Sequence, residues 1–194
     1  MVIIMKNKKV LEKIKNIMIY FICFSFIGWI YEGAIFIIED HILVNRGVLY
    51  GPWLPVYGFG GFIIFSLFNK LKDKPIKIKK INIRPLLIFL YMTLIATLIE
   101  LSTTYICDLI KSDWTKLWYY GSKFMNFQGR IALVPSVRFG ILGILVIYLG
   151  TPLIDKIKNS KNKPTNIITY IIIAIFIIDV IIHIFTGSTY TGPV

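Results

Sequence analysis

Apolar residues in this chain fall into long blocks separated by short polar stretches. Four blocks, at residues 17–38, 85–107, 131–149 and 167–185, come close to the roughly 20 residues that a helix needs to cross a bilayer. A fifth, at 53–69, is shorter and is broken early by Pro55, Gly58, Gly60 and Gly61. Helix interiors hold little Gly or Pro, so this block predicts an irregular or kinked entry followed by a regular helix from about Phe62. The pattern predicts an all-α integral membrane protein: a bundle of about five transmembrane helices forming one domain over residues 1–194.

Composition supports that class. The chain is 56% apolar with a mean hydropathy of +0.72, which leaves too little polar surface for a water-soluble globule. The first span follows a lysine-rich stretch but is longer than a signal-peptide core and lacks a small-residue cleavage site near its end, so it is expected to stay as an anchor. Cys23 and Cys107 both sit in apolar blocks, where cysteine behaves as a small hydrophobe. No Cys and His cluster has metal-ligand spacing, and no metal or other cofactor is expected.

Charge sets the expected orientation, because short loops rich in Lys and Arg stay in the cytoplasm. Three stretches are strongly basic: the N-terminus, the linker Lys70 to Arg84 with six lysines and one arginine, and Lys156 to Lys163 with four lysines. They alternate with loops of lower charge, which places the N-terminus in the cytoplasm, the C-terminus outside and the protein in the cell membrane as a multi-pass chain. The net charge of +12 is accounted for by topology and by attraction to anionic lipid head groups. No nucleic-acid module accompanies it, and no nucleic-acid partner is expected.

Ionisable residues inside spans are costly and usually face a cavity or a partner. Glu32, Glu100, Arg138 and Asp179 all lie about six or seven residues from the outer end of a span, which at 1.5 Å per residue is roughly 10 Å below the outer interface. On the third span Thr93, Thr97, Glu100, Thr104 and Asp108 share one helical face. These positions predict an outward-side polar chamber, capped by the Gly-rich run Asn45 to Gly61 and by the loop Ile110 to Gly129. Arg46 and Arg130 stand beside glycines near the outer interface, where a guanidinium reaches inward to carboxylates or outward to lipid phosphate. Tyr57, among glycines, is expected to lay its ring over the chamber mouth. Most other outer aromatic residues, Tyr120 among them, fit an interfacial belt.

Three segments carry a family resemblance: Gly28-Trp29-Ile30-Tyr31-Glu32; the run Asn45 to Gly60; and Glu100 followed by Trp118-Tyr119-Tyr120, Asn126, Gly129, Arg130 and Ile131. In order and spacing they resemble the CmpB-type putative ABC transporter permease family of small multi-spanning membrane proteins, from about Tyr20 to Pro152. An Asp-Tyr-Ser group that the family often shows after its outer-loop Trp is replaced here by Tyr119-Tyr120-Gly121-Ser122.

The resemblance implies a membrane-spanning, permease-like component of a transporter. The chain has no G-x-x-x-x-G-K-[ST] loop and no catalytic motif, so it is not expected to be an enzyme, and nucleotide would be bound by a separate ATPase subunit. The linker Lys70 to Arg84 is one surface on which such a subunit could dock. Candidate contacts for a small polar or cationic solute are Glu32, Glu100, Arg138, Asp179, Arg46, Arg130, Tyr57 and Asn126. Two other readings stay open: a membrane enzyme acting on a lipid-linked substrate with Glu32 or Glu100 as acid or base, and an accessory protein whose polar residues serve cohesion.

Overall fold

The computed structural model describes residues 2–42, 45, 47, 49–68, 75–116 and 118–187. Its helices are α1 (Val2–Asp40), α2 (Pro55–Phe68), α3 (Arg84–Leu109), α4 (Leu133–Leu145), α5 (Thr151–Lys158) and α6 (Lys163–Thr186). A π-helical stretch at Val146–Gly150 joins α4 to α5, so Leu133–Lys158 forms one long helix. Among the described residues the strands are β1 (Lys77–Ile78) and β2 (Ile81–Asn82), paired as a small antiparallel hairpin. Among the described residues four helices are long and apolar enough to cross a membrane, and α2 is a fifth, shorter apolar helix. The protein is an all-α, multi-pass membrane protein.

The structure corrects the expected start of the second span. A regular helix begins at Pro55, not near Phe62. Proline is tolerated in the first helical turn, where its missing N–H would be unsatisfied anyway. Two of the glycines then serve packing. A Cβ at Gly58 would meet Ser25 and Phe21, and one at Gly61 would meet Phe24. Each glycine costs the helix about 1 kcal/mol relative to alanine, and close packing on α1 offsets that cost. The irregular backbone lies earlier, ending at Leu54.

The π-helical stretch has a local cause. Pro152 lacks an N–H, and its ring would collide with the carbonyl four residues back in a regular helix. The chain widens there: the Thr151 N–H reaches the Val146 carbonyl, and the Thr151 hydroxyl donates to the same oxygen at 3.0 Å.

The chain divides into two compact units, Met1–Ile63 with Pro152–Pro193, and Ile64–Thr151. In the first, α1 packs with α6, and Ile22, Leu49, Trp53 and Phe176 form the core. Near the N-terminal part of α1, Tyr20 and Lys158 both hydrogen-bond Asp155, and Lys15 donates to Asn166 at 2.8 Å. In the second, α3 packs along α4 around Phe68, Ile88, Met92 and Ile147. The small residues of α4 allow this approach: a Cβ at Gly140 would strike Thr93 and Phe89, and one at Gly143 would strike Met92.

Candidate functional site

The Gly/Pro-rich run is fastened to α6 by a single carboxylate. Asp179 is only 7% exposed. Its Oδ1 accepts the Tyr50 N–H at 3.0 Å, and its Oδ2 accepts the Gly51 N–H and the Trp53 indole N–H, both at 2.7 Å. Two successive backbone donors and an indole make a small anion receptor, filled here by the protein's own acid. The segment is held further where the Leu54 N–H donates to the Ser25 carbonyl at 3.0 Å and where the Tyr50 hydroxyl meets that of Thr186 at 2.9 Å. Asn45 accepts from the Trp29 indole at 2.8 Å and from the Gly47 N–H at 3.2 Å.

Glu32, in the same unit, has a different partner. The hydroxyl of Tyr57 donates to its carboxylate, and the Tyr57 ring lies over Gly28, one helical turn earlier, where a Cβ would run into it. Gly28 and Glu32 share a face of α1, so the glycine makes room for the ring and the acid receives the hydroxyl. Tyr31 flanks the pair, its ring centroid 6.0 Å from that of Tyr57.

The second unit repeats the arrangement with other elements. Glu100, 8% exposed on α3, accepts the Tyr120 hydroxyl at 3.0 Å. Tyr120 was expected in the aromatic belt, and its position against an acid 20 residues away has no marker in the sequence. Asn126 organises the loop that carries it. The Asn126 side-chain amide donates to the Gly121 and Lys123 carbonyls at 3.1 and 3.0 Å, and its oxygen accepts the Gly129 N–H at 3.1 Å. The Gly129 N–H is presented from a left-handed backbone, φ 70°, which glycine adopts at little cost. The Tyr120 N–H then donates to the Gly129 carbonyl at 2.8 Å.

Arg130 turns inward to its own unit. It pairs with Asp108 at 2.6 Å, and its guanidinium carbon lies 4.6 Å from the ring centroids of both Tyr105 and Trp114. A planar cation held by a carboxylate and two aromatic rings is well matched to arginine. Trp118 donates to the Arg130 carbonyl at 2.9 Å, and Tyr105 donates to Gln128 at 3.2 Å. The rings around Arg130 were not singled out as its partners in the sequence.

The threonine stripe of α3 is largely self-contained. Thr93, Thr97 and Thr104 donate to carbonyls of their own helix at 2.7–2.9 Å. Of the four charges expected in one chamber, Glu32 and Asp179 belong to the first unit, Glu100 and the half-buried Arg138 to the second. Arg46 lies outside the described residues, as do residues 69–74 of the basic linker.

A family model described as putative ABC-transporter type IV matches residues 19–184 of the chain. No curated protein and no solved structure matches it.

Proposed function

Because the chain belongs to the putative ABC-transporter type IV family, we propose that it is the membrane-spanning component of a transporter and contacts a small polar or cationic solute through tyrosine-capped carboxylates. Nucleotide hydrolysis then belongs to a separate ATPase subunit, since this chain has no phosphate-binding loop of its own. The observation that carries the reading is the recurrence of one pairing in each unit: Glu32 with Tyr57 and Glu100 with Tyr120.

A carboxylate in an apolar span is expensive, and a tyrosine hydroxyl is a neutral, replaceable donor to it. A solute ammonium or guanidinium brings a full positive charge to the acid, which the hydroxyl lacks, and in an apolar surround that attraction is strong. It can therefore displace the hydroxyl without leaving the acid bare. In this reading Asp179 and Asn126 position the segments beside these acids, Arg130 steadies the loop that carries Tyr120, and Arg138 supplies positive charge on α4. Glu32→Gln and Glu100→Gln each keep the size of the side chain and remove its charge. Native mass spectrometry of gently extracted protein is expected to show a small-molecule adduct on the parent chain and its loss from at least one variant of unchanged thermal stability. An adduct retained by both variants would rule out the carboxylates as contacts.

A further inference from the structure

The hairpin β1–β2 has a face that its own unit does not use. Its register pairs Lys77 with Asn82 and Ile78 with Ile81, and the Ile83 N–H donates to the Ile76 carbonyl at 2.9 Å, which continues the ladder outward by one residue on each side. Strand side chains alternate between faces. Ile76, Ile78, Ile81 and Ile83 therefore share one face, while Lys77 and Asn82 share the other and Lys79 and Lys80 form the tip. Ile78 and Ile81 are 59% and 71% exposed. Two-residue strands are marginal in water, and an all-isoleucine face open to water would be costlier still.

Position and charge together indicate what covers it. Ile83 is followed directly by Arg84, the first residue of the spanning helix α3, so chain continuity keeps the hairpin at the membrane boundary. The lysine-rich linker assigns that boundary to the cytoplasmic side, where the leaflet surface is negative. An apolar face bordered by Lys77, Lys79 and Lys80 matches such a surface: isoleucines enter the acyl boundary while the ammonium groups stay among the head groups.

We propose that the hairpin Lys77–Asn82 is an interfacial anchor that inserts its isoleucine face into an anionic inner leaflet. This does not depend on the solute reading above. The test places a nitroxide label at Ile78→Cys or at Lys77→Cys, in a chain carrying Cys23→Ala and Cys107→Ala. Each labelled protein is reconstituted into nanodiscs of phosphatidylcholine with or without phosphatidylglycerol. Both positions are exposed, so labelling leaves the fold intact.

With phosphatidylglycerol present, the label at 78 should lose accessibility to a water-soluble nickel relaxant and gain accessibility to oxygen, while the label at 77 stays open to nickel. Adding Lys79→Gln and Lys80→Gln should shift the label at 78 back toward water. Equal nickel accessibility at 77 and 78 would overturn the proposal, as would shielding of 78 that arises only when an ATPase subunit is added. Shielding of 78 to the same extent in both lipid compositions would overturn the head-group part of it.

Discussion

Replacing Asp179 with alanine is expected to destabilise the protein by several kcal/mol, because it leaves three buried donors without their acceptor. The carboxylate is the shared acceptor of the Tyr50 and Gly51 N–H groups and of the Trp53 indole. Without it three donors lie in a largely dry site, each costing on the order of 1–3 kcal/mol unless water enters or the segment moves. The core around Trp53 and Phe176, whose rings meet edge to face at 5.8 Å, would loosen with it. Asp179→Asn retains one oxygen and should lose about half as much. Thermal unfolding in detergent checks the order of the three proteins, and limited proteolysis should locate the new cleavage between Leu49 and Leu54. An alanine variant as stable as the parent would show that the carboxylate does not fasten this segment.

The second large effect is expected at Gly28. A leucine there would occupy the space of the Tyr57 ring, and overpacking of this kind costs about 1–3 kcal/mol. Moving the ring also removes the hydroxyl from Glu32, a bond to a charged group worth about 1.5–3 kcal/mol. Tyr57→Phe separates the two contributions, because it keeps the ring and deletes only the hydrogen bond. The expected order of unfolding temperatures is parent, then Tyr57→Phe, then Gly28→Leu. Equal temperatures for the parent and Gly28→Leu would mean that the ring does not rest on α1.

Long-range features of this molecule were legible where they depend on local composition. Hydropathy alone located the four long helices of the described residues, because a span is defined by its own residues. The start of α2 was not legible: Gly58 and Gly61 count against a helix one by one, and only their contacts with Phe21, Phe24 and Ser25 reverse the sign. The same limit applies to the acids. Asp179 was conspicuous as a charge in an apolar span, but two of its three partners are backbone N–H groups, which carry no sequence signature, and all three lie about 130 positions away. Tyr120 and Trp114 look like belt residues because a belt and an internal partner draw on the same amino acids. Arg130 and Asp108 were both noted, yet nothing local links a loop cation to an acid in the last turn of α3.

The same physical feature runs through both units: an acid in an apolar helix receives a hydroxyl from a tyrosine held in place by glycine or by a loop amide. In the first unit Gly28 clears the space, and in the second Asn126 and Gly129 shape the loop. A carboxylate kept in this way is positioned and hydrogen-bonded inside its own unit.

Assignment to a transporter is tested most directly by native copurification of the chain from its own membranes, with mass spectrometry of everything retained. A transporter component is expected to retain a stoichiometric partner carrying a G-x-x-x-x-G-K-[ST] phosphate-binding loop, the nucleotide-binding element that this chain lacks. Recovery of the chain with bulk lipid alone, under conditions that preserve known membrane complexes, would contradict it.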